Sequence, residues 1–335
     1  MPKFSVVVPA YNNERHLAAA LRSLVVQTEQ SWEGLLVDDG STDGTLEVMW
    51  KFASRDPRFR VLTQPNAGRP SVVRNRALAI ATGAAVAFLD ADDLYHPRKL
   101  EAQAAVLAVC PDVDLVFSDM RLIDEDGEPI AAPHGAPATY LSPARFTERV
   151  RLHVERKQGT CYVLRPTFYH FMTVAFPAVS TQTVAFRRTL LGSEPFAFDE
   201  GMTVGEDVDL WLRLARRGKV AYLDEVLSYY RQRTDSLTHD PEKYARGAIA
   251  SRVKNLSRAR QDLSPGDIRG CRSAIAALYF DLGYHCRSEG RLRDAVKAYC
   301  QSFRYKASLK PAVALTKAIV ATGLRALRAI RRKVD

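Results

Sequence analysis

The 335-residue sequence predicts an α/β fold, with helices on both faces of a mostly parallel sheet, followed by an α-helical C-terminal region. Two observations predict it. In the first hundred residues, short apolar β-branched runs alternate with helical patterns at a spacing of roughly 25–30 residues. From about Asp240 onward the β patterns end and three or four helical patterns follow. We therefore expect an α/β domain over residues 1–238 and a helical region over 239–335.

The strands of the α/β domain are predicted from short apolar runs that end at turn residues. The first three are "FSVVVPA", "WEGLLVDD" and "RFRVLTQ", and a helical pattern follows each of them. The fourth begins the stretch "AVAFLDADDLYHPRKL". Further strands are expected in "VDLVFSDMRLID", in "STQTVAFRRTLL" before a helix, and in "KVAYLDEVLSYYRQR". Residues 133–178, rich in proline and aromatic residues, predict an inserted segment of helix and loop.

The charge of the chain is concentrated at its C-terminal end. The net charge is +10, and residues 306–335 contain eight Lys or Arg and one acid. The five cysteines are scattered without a C-x-x-C pair, which predicts reduced thiols and no zinc site. The sequence shows neither a signal-peptide pattern nor an apolar run of transmembrane length, so we expect a cytoplasmic protein.

Acidic clusters follow two of the predicted strands and precede a later predicted helix. They are Asp38 with Asp39, Asp90 with Asp92, and Glu206 with Asp207. Ligands of α/β sheets bind at the carboxyl ends of the strands, so these acids can converge. An acid can also cap a helix, but capping needs one acid per helix and not a run.

Asp90 and Asp92 predict a divalent-metal site that faces a phosphorylated substrate. Carboxylate oxygens suit Mg²⁺ or Mn²⁺, which are commonly held by one or two carboxylates together with substrate phosphates. The alternative for this stretch is that Asp93 caps the following helix. G-x-G-x-x-G and P-loop motifs are absent, which argues against a nicotinamide oxidoreductase and a P-loop nucleotidase. Basic side chains are therefore expected to help hold the phosphates, unless they form a solvated helix face; the candidates are Arg69, Arg74 and Arg76.

Five motifs occur in one order: "SVVVPAYNNE", "LLVDDGSTDGT", "NAGRPSVVRNRAL", "ATGAAVAFLDADD" and "GEDVDLWLRL". Over roughly residues 3–235 the chain thus resembles the catalytic domain of glycosyltransferase family 2, which has the GT-A fold. The resemblance implies inverting, metal-dependent transfer from a nucleoside-diphosphate sugar, usually a UDP-sugar. It also implies a hydroxyl acceptor on a glycan or lipid-linked molecule, in polysaccharide or glycoconjugate biosynthesis.

The resemblance assigns roles by position. Asp207 corresponds to the catalytic base, with Glu206 as the second candidate. Asp90 and Asp92 form the D-x-D motif, in which Asp92 is the expected direct metal ligand. The residues implied in nucleotide-sugar binding are Pro9, Tyr11, Glu14, Asp38, Asp39, Asn66, Gly68, Arg74, Asp90 and Ala91.

One position departs from the family pattern. Many members have Tyr-Arg-x-His where this chain has "YYRQRTDSLTH", so Arg233 stands at the histidine position and His239 follows six residues later. Arg231 or Arg233 could bind phosphate directly, or the stretch could be a surface loop. The insertion 133–178 is expected to shape the acceptor site, although a local mini-core explains its aromatic residues equally well.

The C-terminal region resembles a single tetratricopeptide-like helix pair, which is too short for an autonomous array. Its last helix, about 312–333, has an apolar face and a basic face, which suits an anionic membrane surface on the cytoplasmic side of the inner membrane. A docked terminal helix with a solvated face is the alternative. No recognised module supports nucleic-acid binding. A second hypothesis for the whole chain is a catalytically silent nucleotide-sugar-binding scaffold that acts through this helical tail.

Overall fold

The computed structural model describes residues 3–130, 150–174, 179–192, 197–233 and 240–319. The chain divides into two compact units, of which the first comprises Met1–Met172 and Phe176–Thr234 and the second Thr173–Ala175 and Asp235–Asp335. Throughout these described ranges, the helices are too short or too polar to cross a membrane.

The first unit alternates strands and helices along the chain. Its strands are β1 (Phe4–Ala10), β2 (Trp32–Asp38), β3 (Phe59–Thr63), β4 (Ala85–Phe88), β5 (Leu94–Tyr95), β6 (Leu115–Ile123), β7 (Val154–Gln158), β8 (Cys161–Leu164), β9 (Val184–Arg187) and β10 (Val220–Arg231). Its helices are α1 (Glu14–Val25), α2 (Thr45–Ala53), α3 (Pro70–Leu78), α4 (Lys99–Val109), most of α5 (Thr167–Val174) and α6 (Glu206–Arg217).

All ten strands belong to one sheet, in the order β3-β2-β1-β4-β9-β6-β10-β8-β7, with β5 beside β10. Strands β1 to β4 pair in parallel, as do β6 and β10. Strands β5, β8 and β9 run antiparallel to their neighbours, and β7 forms an antiparallel hairpin with β8. The α/β fold class and the helical C-terminal region are confirmed, and the antiparallel strands of the second half make the sheet a mixed one.

The stretch after β4 differs from one alternative given by the sequence. Leu94 and Tyr95 form β5, and α4 begins only at Lys99. The interpretation of Asp93 as a helix cap is therefore wrong. Asp93 is fully buried and accepts a hydrogen bond from the backbone N–H of Arg231, 2.9 Å away. Pairing of β5 with β10 separates the acidic turn from the helix.

The inserted segment contains strands that the composition does not reveal. Residues 154–164 form the β7–β8 hairpin, and β8 extends the main sheet through β10. Helix α5 follows. The remaining parts of the segment, 133–149 and 175–178, lie outside the described residues. The helix expected after β9 is a single 3₁₀ turn, Arg188–Leu191.

The second unit is helical in its described part. It contains α7 (Pro241–Ala259), α8 (Pro265–Ser288), α9 (Leu292–Tyr305) and helical residues at 309–319. Ser264 and Asp267 form a capping box at the start of α8. A Cβ on Gly283 would come within 2.7 Å of the Tyr299 ring, so this glycine allows α8 and α9 to approach closely. Most of the predicted basic helix, from residue 320 onward, lies outside the described residues.

Candidate active site

The loops after β1 and β2 form the nucleotide side of the site. Asp38 is buried, and its carboxylate accepts hydrogen bonds from the N–H groups of Gly40 and Ser41, each 3.2 Å away. Gly40 has a φ of +73°, and a Cβ there would lie 2.7 Å from the backbone nitrogen of Asn66. Asp38 therefore closes the turn, and Gly40 lets the loop that contains Asn66 approach it.

Asp39 joins that turn to the loop after β3. Its Oδ1 atom accepts hydrogen bonds from Gln64 Nε2 at 2.6 Å and from the N–H of Ala67 at 3.0 Å. Asn66 and Gly68 lie exposed on this loop. Together with Asp38, four of the predicted nucleotide-binding positions therefore lie on these two neighbouring loops. Gln64 is a partner that no sequence motif indicates.

Three further predicted positions lie near the end of β1. Pro9 is half-buried in β1, and Tyr11 beyond the strand is 46% exposed. The Glu14 carboxylate accepts a hydrogen bond from the N–H of Gly44 at 3.0 Å, and the Glu14 N–H donates to Asp43. Glu14 therefore fastens the start of α1 to the start of α2.

Arg74 connects the D-x-D turn to the first turn of α6. Its Nη2 atom donates to Asp90 Oδ1 at 2.9 Å, and its Nη1 atom donates to Glu206 Oε1 at 2.8 Å. Only 7% of the Arg74 side chain is exposed, so it does not belong to a solvated helix face. Burial alone would lower the pKa of Arg74, but the carboxylates of Asp90 and Glu206 outweigh it and raise that pKa.

The other two candidate arginines, Arg69 directly before α3 and Arg76 within it, lie nearer to the surface. Arg69 donates to the carbonyl oxygen of Glu200, and Arg76 donates to that of Thr63. Asn75 holds the loop before α6 more firmly, because its amide exchanges two 2.8 Å hydrogen bonds with the backbone of Phe198. Asn75 is a positioning residue that the sequence does not single out, although it lies inside the motif "VVRNRAL".

The first turn of α6 carries both candidate bases. Gly205 precedes it with a φ of +82°, a conformation that glycine adopts without strain. Glu206 is buried, and this burial raises its pKa to about 7, with the charge of Asp207 adding to the shift and Arg74 opposing it. Asp207 is half-buried. Its Oδ1 accepts from the N–H of Val208 at 2.7 Å, and its Oδ2 accepts from the Thr181 hydroxyl at 3.0 Å.

The D-x-D turn is fixed from β10. The Asp93 N–H donates to Asp90 O at 3.0 Å, and Ala91 is buried. Arg231 donates from Nε to Asp92 O, and its Nη1 atom donates to two carbonyls of the loop after β6. This guanidinium is therefore used to hold backbone. Burial raises the pKa of Asp93 well above its usual range, and the charges of Asp92 and Asp90 add to the shift.

Arg233, at the position of the family histidine, contacts a predicted metal ligand. Its Nη1 atom donates to Asp92 Oδ2 at 3.2 Å and also to Asn13 Oδ1. Burial and the charge of Asp90 raise the pKa of Asp92, while Arg233 opposes the shift. His239 lies outside the described residues.

The residues of the turn fit a divalent cation whose coordination is completed by substrate. Asp90 and Asp92 are about one quarter exposed, at 27% and 28% of their side chains, and the charge of Asp90 disfavours ionisation of Asp92. A cation between them would relieve this repulsion. Among the described residues no group of three His, Cys, Asp or Glu side chains could hold a metal. Two carboxylates suffice for Mg²⁺ when substrate phosphates supply further oxygens.

The mixed sheet, with the D-x-D turn and the acidic start of α6 on one edge, defines an α/β protein of the GT-A fold. Sequence comparison gives the family. The family model described as glycosyl transferase family 2 matches residues 5–162. The Bacillus subtilis protein named "Putative glycosyltransferase EpsE" is 32% identical over 237 residues, which cover 70% of this chain and 74% of EpsE. The chain belongs to glycosyltransferase family 2.

Longer relatives and solved structures agree with this fold. An uncharacterised glycosyltransferase of Rickettsia felis is 30% identical over 74% of this chain, which spans only about a third (36%) of that protein. Staphylococcus aureus TarS 1–349, solved in complex with UDP-GlcNAc, has a TM-score of 0.65 at 20% identity. That match covers 90% of this chain and 81% of TarS 1–349. The mannosyltransferase PcManGT of Pyrobaculum calidifontis, solved with GDP-Man and Mn²⁺, has a TM-score of 0.58 at 21% identity, covering 97% and 80%.

Proposed function

We propose that this chain is an inverting glycosyltransferase, which moves a sugar from a nucleoside-diphosphate sugar to an acceptor hydroxyl. One observation carries the proposal most directly. Arg74 bridges Asp90 of the D-x-D turn and Glu206 beside the candidate base, with both hydrogen bonds under 3.0 Å. One buried guanidinium thereby links the proposed leaving-group site to the residue next to the proposed base.

The donor is proposed to be a UDP-sugar that lies across the ends of β1, β2 and β3. Asp39, Asn66 and Gly68 border this place, and Tyr11 exposes an aromatic ring that can pack on a base. Both described hydrogen bonds to the Asp39 carboxylate end on Oδ1, and Oδ2 is proposed to accept a hydrogen bond from a ribose or base group. The complexes of TarS with UDP-GlcNAc and of PcManGT with GDP-Man support a sugar nucleotide as the class of donor.

Mg²⁺ or Mn²⁺ would be held by Asp92 and Asp90, with the oxygens of the diphosphate completing its coordination. Such a cation stabilises the negative charge that develops on the leaving diphosphate. The role of the polypeptide here is to present both carboxylates on one short turn. Asp93, Arg231 and the buried Ala91 fix that turn from beneath.

Asp207 is proposed to take the proton of the acceptor hydroxyl. The hydroxyl oxygen then forms a bond to the anomeric carbon of the sugar, and the bond from that carbon to the diphosphate breaks. The nucleoside diphosphate leaves with the electron pair. A single displacement inverts the configuration at the anomeric carbon and requires no covalent nucleophile. A positioned carboxylate of this kind contributes roughly 10²- to 10⁴-fold to rate.

The acceptor is proposed to be a glycan or lipid-linked hydroxyl in polysaccharide or glycoconjugate biosynthesis. Support comes from UDP-Glc:alpha-D-GlcNAc-diphosphoundecaprenol beta-1,3-glucosyltransferase WfgD of Escherichia coli, which is 26% identical over 84% of this chain and 91% of WfgD. A lipid-linked acceptor would place the reaction at the cytoplasmic face of a membrane. The eight basic residues after position 305 would favour an anionic lipid surface.

Thermal unfolding with UDP, UDP-Glc, UDP-GlcNAc and GDP-Man, each with and without Mn²⁺, tests the donor site. A ligand that binds only the folded state raises the midpoint of thermal unfolding. At a ligand concentration of a hundred times the dissociation constant, the folded state gains about 2.7 kcal/mol. We expect an Mn²⁺-dependent shift with UDP or a UDP-sugar that Asp92→Asn abolishes and Asp126→Asn, an exposed control, retains. A folded protein that shifts with no nucleotide would contradict the donor site, whereas a nucleotide shift without any sugar transfer would favour the catalytically silent scaffold.

A further inference from the structure

The candidate base has a hydroxyl partner that no family motif of this chain includes. Thr181 is 5% exposed and lies in the 3₁₀ turn Thr181–Thr183, directly before β9. Its hydroxyl donates to Asp207 Oδ2 at 3.0 Å, while the N–H of Val208 donates to Oδ1. We propose that Thr181 is a positioning residue that sets the orientation of the Asp207 carboxylate; this inference rests on the proposed function.

The turn that carries Thr181 is itself held by several hydrogen bonds. The Thr183 hydroxyl donates to Ser180 O at 2.7 Å, and the Thr183 N–H donates to the same oxygen at 3.0 Å. From β10, the Ser228 hydroxyl donates to Gln182 O at 2.7 Å. The backbone on either side of Thr181 is thus held locally and from the sheet, by hydrogen bonds that do not involve Asp207.

Helix α4 adds a buried polar connection to the same turn. Gln103 Nε2 donates to Thr183 O at 2.8 Å, and Lys99 Nζ donates to Gln103 Oε1 at 2.8 Å. Both side chains are fully buried, and burial lowers the pKa of Lys99 to about 7. A fully buried amine and a fully buried amide need hydrogen-bond partners, so the geometry of these two hydrogen bonds is strongly constrained. The connection therefore extends from the interior of α4 to the turn beneath Asp207.

The need for such a partner follows from the torsional freedom of aspartate. Rotation of the carboxylate about the Cβ–Cγ bond is broad and roughly two-fold, so hydrogen bonds must select its plane. Val208 holds one oxygen from within the same helix, and Thr181 holds the other from a different element. Together they fix the plane of the carboxylate and leave the remaining lone pairs for the proton of the acceptor. Misplacement of a reacting group by about 1 Å can cost about 10²-fold in rate.

Steady-state kinetics of four variants tests this role. The readout is UDP release from UDP-Glc or UDP-GlcNAc, whichever gives the larger thermal shift, with water or an added acceptor. Thr181→Val and Thr181→Ala both remove the hydroxyl, with and without conserved bulk, and Thr181→Ser restores it. Thr160→Val is the matched control, because the Thr160 hydroxyl donates to a carboxylate, that of Glu225, at 2.7 Å elsewhere in the fold.

We expect kcat to fall about 10- to 100-fold in Thr181→Val and Thr181→Ala, with KM for the donor and the Mn²⁺–UDP thermal shift unchanged. The kcat of Thr181→Ser should stay within about threefold of the wild type, because serine keeps the hydroxyl that donates to Asp207. Thr160→Val should have the wild-type kcat, because it removes only the contact with Glu225. Wild-type kcat in a folded Thr181→Val or Thr181→Ala variant would overturn the positioning role alone. So would equal loss in Thr181→Ser. No UDP release by the wild type from any sugar nucleotide would overturn the proposed function as well.

Discussion

The donor loops and the catalytic corner of the first unit hold their carboxylates in different ways. In the donor loops, defined as residues 10–14, 38–44 and 64–68, Asp38 and Glu14 accept hydrogen bonds from backbone N–H groups. The catalytic corner is defined as residues 90–93, 181–183 and 205–208 with Arg74, Arg231 and Arg233. There, arginine side chains are the partners of Asp90, Asp92 and Glu206, while Asp207 accepts from a hydroxyl and a backbone N–H. The Arg74–Glu206 and Arg233–Asp92 pairs join residues 132 and 141 positions apart.

This difference separates two uses of the same side chain. A carboxylate that accepts from backbone N–H groups stabilises its own loop or joins it to a neighbouring donor loop, and it needs no charged partner. A carboxylate paired with a buried guanidinium depends on a charge from a distant part of the chain. Such a carboxylate can also exchange its guanidinium partner for a cation, and the guanidinium can then bind an anionic group of a substrate. We therefore expect substitutions in the corner to alter catalysis, stability and metal binding more than equivalent substitutions in the donor loops.

The largest effect is expected for Asp207→Asn. The amide cannot accept the acceptor proton, so UDP release from the bound sugar nucleotide should fall roughly 10²- to 10⁴-fold. The Mn²⁺–UDP thermal shift should persist, because Asp207 does not face the diphosphate in the proposed mechanism. In contrast, Asp39→Asn in the donor loops should weaken nucleotide binding with a smaller effect on kcat. If Asp207→Asn turned over at the wild-type rate, the corner would not contain the base, and Glu206 would become the candidate.

Replacement of Arg74 tests the dependence of the corner on a distant charge. Arg74→Met leaves Asp90 and Glu206 without their cation, and removal of one partner from a buried ion pair destabilises by about 3–5 kcal/mol. Urea unfolding monitored by tryptophan fluorescence measures the resulting loss in the free energy of unfolding. The control is Lys3→Met. The Lys3 side chain is 61% exposed in its pair with Glu29, so this substitution should lower the free energy of unfolding by only about 0–1 kcal/mol. Equal losses in the two variants would contradict the comparison.

The sequence predicts the donor loops better than the corner for the same physical reason. Strands β1 to β4 and their loops follow local patterns, namely apolar runs that end in Gly, Asn and Asp, so the positions of Asp39 and Asn66 follow from turn chemistry. The pairing of Arg74 with Glu206 depends on tertiary packing between α3 and α6. Thr181 gives no local signal, because a threonine before a strand is ordinary.

The antiparallel second half of the sheet was harder to predict for a related reason. The outer strand of the β7–β8 hairpin, "VERKQ", has three consecutive charged residues and no apolar alternation. Its short inner strand lies among aromatic residues that also suit a helix. Asp93 illustrates the same limit. Its sequence context favours a helix cap, but pairing of β5 with β10 turns it inward, where it accepts from the N–H of Arg231.

The pH dependence of stability should have opposite signs in the two regions. Glu206 keeps its proton in the folded protein up to about pH 7, whereas a glutamate in the unfolded chain loses it near its ordinary value of 4.5. The folded state therefore binds more protons between these values, and stability falls as the pH rises from 4.5 to 7. Without metal, the stability of Glu206→Gln relative to the wild type should therefore rise across this window.

Asp43 in the donor loops supplies the contrast. Burial alone would raise its pKa, but hydrogen bonds from the hydroxyl and the N–H of Thr45 and from the N–H of Glu14 outweigh it and lower that pKa. Its stabilising contribution is therefore present at neutral pH and is lost as the pH falls through the folded-state pKa. Asp43→Asn should be less stable than the wild type at pH 7, by an amount that shrinks in acid. For Glu206, the contradicting outcome is a difference in stability between Glu206→Gln and the wild type that does not change with pH in EDTA. The raised pKa assigned to Glu206 would then be wrong.

The smallest effect is expected for Arg233→Met, and it concerns the cation alone. Arg233 pairs with Asp92 Oδ2, and its side chain is 18% exposed, so Mn²⁺ that binds this oxygen competes with a partly buried guanidinium. A partly exposed pair of this kind is worth about 1 kcal/mol, which corresponds to roughly fivefold in a dissociation constant. Arg233→Met should therefore bind Mn²⁺ alone several-fold more tightly, as followed by electron paramagnetic resonance of free Mn²⁺. Arg15→Met, which removes an equal charge from an exposed pair with Glu125, should leave Mn²⁺ affinity unchanged. Weaker Mn²⁺ binding in Arg233→Met would mean that the arginine supports the metal site and does not compete with it.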